Sequence, residues 1–190
     1  MKKILFLLIF ILCVGTSLWA QSNKSVHEGY YNLTQMSFII GEVSYNSAVK
    51  SEMIPSVVNI NGYRVNEYFS VGVGVGMTPL PYTIFPVFAD FRVILLKSNL
   101  SPVLAFKGGY AFANSKKDIW GYGSDNKNTG GAMVNPEVGF KIPMTERADF
   151  MLTIGYWYQH IESEFTGYNS QYNRKSDLNR LSFSIGFLFK

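Results

Sequence analysis

Leu181-Ser-Phe-Ser-Ile-Gly-Phe-Leu-Phe-Lys190 alternates large apolar residues with small or polar ones. Because successive side chains of a β-strand point to opposite faces, one face carries five large apolar residues, and the other carries glycine and serines in line with Arg180. Such alternation over about ten residues is typical of a strand in a membrane-spanning β-barrel, with aromatic residues where the strand meets the membrane boundary. We therefore expect one face of this segment to meet lipid.

Residues 1–20 have the pattern of a cleaved secretory signal peptide. Lys2 and Lys3 precede an apolar run from Ile4 to Leu12, and small residues follow. We place cleavage after Ala20, with cleavage after Ser17 as an alternative. The run is short for the roughly 20 apolar residues of a spanning helix, which disfavours an uncleaved anchor.

The remaining composition excludes several classes of protein. Removal of the signal peptide takes two of the 17 basic residues and none of the 13 acidic ones, which leaves a formal charge of +2. The basic residues are scattered, so no nucleic-acid partner is predicted. The only cysteine, Cys13, lies in the predicted signal peptide, so no disulfide is expected. Residues 21–28 form a polar lead, and residues 29–190 suit one domain.

Eight segments with strand character follow the signal peptide, and no helical pattern interrupts them. They are Gly29 to Ser44, Ile54 to Val65, Tyr68 to Met77, Ile84 to Leu96, Pro102 to Ala113, Ala132 to Ile142, Ala148 to Ile161 and Asn179 to Phe189. Alternate connections are longer than those between them, as in a barrel with tight turns at one end and surface loops at the other. The pattern predicts an all-β, eight-stranded antiparallel up-and-down transmembrane β-barrel.

Charged residues fall on the face opposite the large apolar residues. This parity predicts a network of charges in the lumen formed by Asp90, Arg92, Lys107, Glu137, Lys141 and Arg180. A charge that faces lipid costs about 2–4 kcal/mol at the membrane midplane, so the parity favours a membrane barrel over a soluble calyx, whose interior is apolar. We interpret the charges as a polar plug, with an ion path as the alternative.

The chain resembles the small outer-membrane β-barrel proteins of Gram-negative bacteria, of the OmpA/OmpX-like eight-stranded type. The resemblance spans the chain after the signal peptide and rests on these segments: Asn61-Gly-Tyr-Arg-Val-Asn66, Phe88-Ala-Asp-Phe-Arg92, Ser101-Pro-Val-Leu-Ala-Phe-Lys-Gly-Gly-Tyr110, Asn135-Pro-Glu-Val-Gly-Phe140 and Asn179-Arg-Leu-Ser-Phe-Ser-Ile-Gly-Phe187. It implies an outer-membrane location with periplasmic termini and long loops at the cell surface. It also implies contact with lipid and lipopolysaccharide and insertion by the barrel-assembly machinery.

His160, Glu162 and Ser163 are the most reactive-looking group in the sequence. A histidine base, a serine nucleophile and a carboxylate would suit acyl transfer, as in lipid A deacylases and acyltransferases. The spacing disfavours this interpretation, because the strand position that shares a face with His160 is Glu162, whereas Ser163 has the opposite parity. A rim histidine without catalysis is the alternative. No cluster of residues has metal-ligand spacing, and no cofactor motif is present.

Aromatic residues in the two longest predicted connections are the candidates for surface recognition. They are Trp120, Tyr122, Phe165, Tyr168 and Tyr172. Asparagine, serine and glycine surround them, a composition typical of loop-built recognition surfaces. Rings folded onto the barrel rim are the alternative. We therefore expect a monomeric, non-enzymatic protein with a structural or recognition role in the cell envelope; a lipid A-modifying enzyme comes second and a narrow pore third.

Overall fold

The computed structural model describes residues 29–45, 48–79, 83–96, 99–113, 125–167 and 170–190. The predicted signal peptide and the polar lead lie outside these residues. No helix in the described part of the chain is long and apolar enough to cross a membrane.

Eight antiparallel strands close into one barrel, in which each strand pairs with its neighbours in sequence and β1 pairs with β8. The predicted fold class is therefore confirmed. The strands are β1 (Gly29–Tyr45), β2 (Ala48–Arg64), β3 (Phe69–Pro79), β4 (Thr83–Ile94), β5 (Ser101–Ala113), β6 (Asp125–Pro143), β7 (Ala148–Gly167) and β8 (Ser170–Phe189).

Several strands extend into segments that the sequence predicted as loops. The predicted connection from Glu162 to Leu178 was wrong, because β7 and β8 remain paired as far as Gly167 and Ser170. Likewise, β6 begins at Asp125, inside the connection predicted from Asn114 to Gly131. Backbone pairing continues there without apolar faces, and a pattern of side chains alone does not reveal it. Gly130, at φ +75°, marks a register shift in β6, and a Cβ there would lie 2.0 Å from the carbonyl oxygen of Ala111.

The reversals after β2, β4 and β6 lie together at one end of the barrel, which we call the turn end; the opposite end is the loop end. In the turn after β2, the side-chain oxygen of Asn66 accepts hydrogen bonds from the amides of Tyr68 and Phe69, at 2.9 and 2.8 Å. In the turn after β6, the hydroxyl of Thr145 accepts one from the amide of Ala148, at 3.0 Å. These side chains stabilise reversals that are too short for a regular ladder.

The strands are tilted, and their register gives the depth of each residue along the barrel axis. Residues paired in register lead from Ala148 in β7 once around the barrel through Phe189, Asn32, Asn61, Val73, Ala89, Gly108 and Val134 and return to β7 at Tyr158, ten residues higher. At a strand tilt of about 40°, each residue along a strand rises about 2.5 Å along the barrel axis. The ten residues therefore correspond to about 25 Å, and each passage from one strand to the next, which we call a strand step, corresponds to about 3 Å. The apolar band of outer-membrane barrels has about the same height, roughly 25 Å.

The two faces of the sheet differ in the way the sequence predicts. Phe183, Phe187 and Phe189 are exposed on the outer wall of β8, and Val73 on β3 is 67% exposed. The inward Ser182 and Ser184 are buried. Apolar side chains outside and buried polar groups inside are the reverse of a water-soluble barrel and fit a wall surrounded by lipid.

Candidate functional site

The middle of the lumen is crossed by a buried ion pair between Asp90 and Arg92, which are successive inward residues of β4. The Arg92 guanidinium donates through Nε to Asp90 Oδ2 at 2.6 Å and through Nη2 to Asp90 Oδ1 at 3.0 Å. It also donates to Gln35 Oε1 of β1 at 3.2 Å, across the barrel. The Tyr31 hydroxyl lies 3.4 Å from Asp90 Oδ2. These contacts tie β4 to β1 through the centre of the lumen.

A second ion pair connects β5 and β6 beside the first. Lys107 Nζ lies 2.5 Å from Glu137 Oε1, and both side chains are almost completely buried. Thr153 of β7 donates a hydrogen bond of 3.1 Å to Glu137 Oε2. Both oxygens of the Glu137 carboxylate therefore have partners, as a charge enclosed in a narrow barrel requires.

The other predicted lumen charges lie in separate layers. Lys141 is near the turn end, 3.8 Å from Asp149 Oδ2, and Lys190 Nζ donates to Asp149 Oδ1 at 2.7 Å. Arg180 is buried higher in the barrel, where a Cβ on Gly41 would lie 2.4 Å from its Cγ. Asp149 and Gln35 were not predicted as lumen residues, although both have inward parity. The predicted lumen charges therefore lie at several depths along the barrel axis.

Apolar side chains close the lumen on both sides of the central pairs. Ten buried residues, including Tyr31, Leu33 and Phe88, form one cluster in the barrel. Nearer the loop end, Ile39, Ile54 and Trp157 form a second cluster. Between them lies a cavity of about 20 Å³, lined by hydroxyl groups, Lys107 and Asn135 as well as apolar side chains. A space of this size holds about one water molecule.

His160 lies on the outer wall at the loop end, just above the apolar band. Its Nδ1 is 2.6 Å from Asp177 Oδ1 of β8, and its Nε2 is 3.5 Å from Glu162 Oε1. The hydrogen bond to Asp177 is the main cause that raises the pKa of His160 above 6.5, and it lowers the pKa of Asp177. Asp177 also accepts a hydrogen bond of 2.8 Å from the Tyr158 hydroxyl. Tyr158, His160 and Glu162 follow one another on the outer face of β7. This change from an aromatic ring to charged groups is typical of a membrane boundary.

The contacts of His160 do not form a nucleophile–base pair. Each ring nitrogen faces a carboxylate, and Glu162 is further engaged by Lys175 at 2.9 Å. Ser163 lies in β7 opposite Arg174, and its side chain is outside the described residues. The sequence analysis missed Asp177 as the partner of His160, because the two residues are brought together only by the extended β7–β8 hairpin.

The predicted recognition residues are only partly described. Trp120, Tyr122 and Tyr168 lie outside the described residues. Phe165 and Tyr172 were expected in a loop, but they are strand residues paired across β7 and β8. The hairpin extends the ladder beyond the lipid-facing wall, and its two strands place these residues at the same level. Among the described residues, no group of histidine, cysteine and carboxylate side chains could hold a metal ion.

Solved structures of outer-membrane proteins have the same architecture. The chain has the fold of the small outer-membrane β-barrels. OprG from Pseudomonas aeruginosa superposes with a TM-score of 0.60 at 11% identity, covering 86% of this chain and 95% of that one. AlkL in lipid bilayers gives 0.59 at 11% identity, covering 90% and 94%. Neisserial surface protein A gives 0.58 at 16% identity, covering 89% and 99%.

No protein-family model matches the sequence, and no match is found among curated proteins. At these identities the structural likeness shows the fold alone. What an outer-membrane-type barrel does depends on its lumen and its rim, which vary independently of the fold.

Proposed function

We propose that this protein is an integral outer-membrane barrel with a closed lumen and a structural or surface-recognition role, without catalysis. The observation that carries the proposal is the pair of buried ion bridges, Asp90–Arg92 and Lys107–Glu137, across the middle of the lumen. Side chains fill the interior of an eight-stranded barrel, and fixed charge pairs hold them there. An open pore would require both ion pairs to separate.

The location and orientation are part of this proposal. The apolar wall and the similarity to solved outer-membrane proteins support the outer membrane. We place the turn end in the periplasm and the loop end at the cell surface, because the longest connection, residues 114–124 between β5 and β6, belongs to the loop end and outer-membrane barrels have short periplasmic turns. We expect lipid and lipopolysaccharide around the wall and recognition of β8 by the barrel-assembly machinery.

Electrical recording across planar bilayers tests the closed lumen. The purified protein is expected to give no conductance above that of the protein-free membrane, with a known porin as the positive control. Repeated conductance steps well above background would overturn the proposal and favour the narrow pore. Migration on gels before and after heating, measured on the same sample, shows that the barrel is folded.

The recognition role is tested at three of the aromatic residues that the sequence predicts for recognition. Replacement of Trp120, Tyr168 and Tyr172 by alanine is expected to abolish binding to cells or matrix while the heat-modifiable barrel persists. Alanine at Phe112, an exposed aromatic of the lipid-facing wall, is the matched control and is expected to leave binding unchanged. Equal adhesion of the triple variant and the unaltered protein would eliminate this part of the proposal.

Mass spectrometry of lipid A tests the absence of catalysis. Cells with and without the protein are expected to have the same acyl pattern, because both ring nitrogens of His160 face carboxylates. An acyl pattern that shifts with the protein and is restored by His160→Ala would replace the structural role with lipid modification.

A further inference from the structure

Polar side chains interrupt the lipid-facing wall on β1 and β2. Asn32 Nδ2 donates to Asn59 Oδ1 at 3.1 Å and to Asn61 Oδ1 at 2.8 Å. Asn59 Nδ2 donates to Thr34 Oγ1 at 2.9 Å and to Asn32 Oδ1 at 3.2 Å. Asn61 Nδ2 donates to Asn59 Oδ1 at 2.9 Å, and the Tyr30 hydroxyl donates to Asn61. We call Asn32, Thr34, Asn59 and Asn61 the asparagine patch.

The barrel register places this patch inside the apolar band. Asn32 and Asn61 are two and three strand steps above Ala148, which is about 6 and 9 Å from the turn end. Thr34 and Asn59 lie two residues higher on their strands, at about 11 and 14 Å. The patch thus occupies the lower middle of a band about 25 Å tall.

Outward residues of the other six strands are apolar at the same depth. Examples, one from each strand, are Val73, Phe91, Phe106, Val138, Leu152 and Phe187. The asparagines are therefore a local feature of one side of the wall. A polar girdle at the membrane surface would encircle the barrel instead.

The hydrogen bonds within the patch leave some of its N–H, O–H and carbonyl groups available for a further bond. Each carboxamide offers two N–H donors and an oxygen that accepts two bonds. Within the patch, Asn61 uses one of its donors and Asn32 Oδ1 accepts one bond. The Thr34 hydroxyl accepts from Asn59 and retains its own O–H donor. Hydrocarbon chains satisfy none of these groups, whereas polar side chains of a second protein do.

We propose that the asparagine patch is a homodimer interface within the membrane. Two copies inserted in the same direction can be related only by a twofold axis along the membrane normal, so residues of equal depth face each other. The patch has spare donors on Asn61 and Thr34 and a spare acceptor on Asn32, all within about 5 Å of depth, and it is therefore complementary to itself. The spare N–H of Asn61 and O–H of Thr34 face the spare oxygen capacity of the second copy. This proposal departs from the monomer expected from the sequence.

Sedimentation equilibrium in density-matched detergent micelles tests the dimer. The unaltered chain is expected to show a monomer–dimer equilibrium that depends on the protein-to-detergent ratio. The double variant Asn59→Leu/Asn61→Leu is expected to weaken the association by about tenfold. Phe106→Leu, at similar depth on the opposite wall, is the matched control and should stay within about twofold of the unaltered chain.

A monomer at every ratio, or a double variant that associates as strongly as the unaltered chain, overturns the proposal. Thr34→Val provides a second variant that removes one hydroxyl without changing the shape, and it is expected to weaken association less than the double variant. Crosslinking in intact membranes that joins the patch only to a different protein also refutes the homodimer. The inference rests on the membrane location proposed above. Flotation with phospholipid vesicles tests that location separately. A protein that inserts into the vesicles but does not dimerise contradicts the homodimer and leaves the membrane location intact.

Discussion

Breaking the buried pair between Lys107 and Glu137 is expected to destabilise the barrel strongly. At the 2.5 Å separation of Nζ and Oε1, the gross attraction is about 7 kcal/mol at an effective dielectric constant of 20. Most of this is offset by the desolvation of both charges, so the net contribution of the pair is small. Removal of one partner leaves the other charge buried alone. We therefore expect Lys107→Met or Glu137→Gln to lower the free energy of unfolding by about 3–5 kcal/mol.

A double-mutant cycle separates this effect from a loss of packing. The combined variant Lys107→Met/Glu137→Gln leaves neither charge of this pair in the lumen, and it should be less destabilised than either single variant. Urea titrations in phospholipid vesicles, followed by tryptophan fluorescence, measure all the variants. Lys175→Met removes one partner of an exposed pair and is expected to leave the urea midpoint unchanged within error, because solvent screens that pair. Single variants of the buried pair that behave like this control, or a cycle with additive effects, would refute the reasoning.

Three further changes probe the wall, the lumen and the rim. Ile154→Arg on the lipid-facing wall should cost about 2–4 kcal/mol in vesicle unfolding, whereas Met144→Arg in an exposed turn should cost almost nothing; equal effects would contradict a lipid-facing wall. Gly74→Ala should destabilise by about 1–3 kcal/mol, because the new Cβ would lie 2.4 Å from a buried aromatic ring; an unchanged urea midpoint would count against this packing. NMR titration should give His160 a midpoint above pH 6.5. The contact with Asp177 therefore contributes its full stabilisation of the folded protein below pH 6.5, and this stabilisation is lost as the pH rises through the raised pKa of His160 in the folded protein. Asp177→Asn should return the midpoint toward 6.5, and no shift would contradict the contact.

The architecture could be predicted because lipid imposes a simple rule on each strand. Residues that face hydrocarbon must be apolar, and this requirement produces the alternation from Leu181 to Phe189. The same rule identified the inward parity of Asp90, Lys107 and Glu137. Parity gives the face of a residue and not its depth, so the pairing of Lys107 with Glu137 across β5 and β6 required the register.

The strand extensions could not be predicted for the converse reason. Beyond Ile161 in β7 and before Leu178 in β8 the sequence no longer alternates, while the backbone ladder continues. The contact between His160 and Asp177 depends on this hidden pairing. The asparagine patch also required the register, because Asn32 and Asn61 are far apart in sequence and only their cross-strand pairing makes them one surface.

The central claim is that alternate residues of one strand face lipid and a closed lumen. Single cysteines at residues 181 to 185, in a chain with Cys13 replaced, carry spin labels for accessibility measurements in phospholipid vesicles. Oxygen, which partitions into lipid, should relax labels at 181, 183 and 185 strongly and those at 182 and 184 weakly, while a water-soluble nickel complex should reach none of them. Labels at Ser182 and Ser184 that the nickel complex relaxes strongly, or oxygen accessibility without a period of two, would contradict the account.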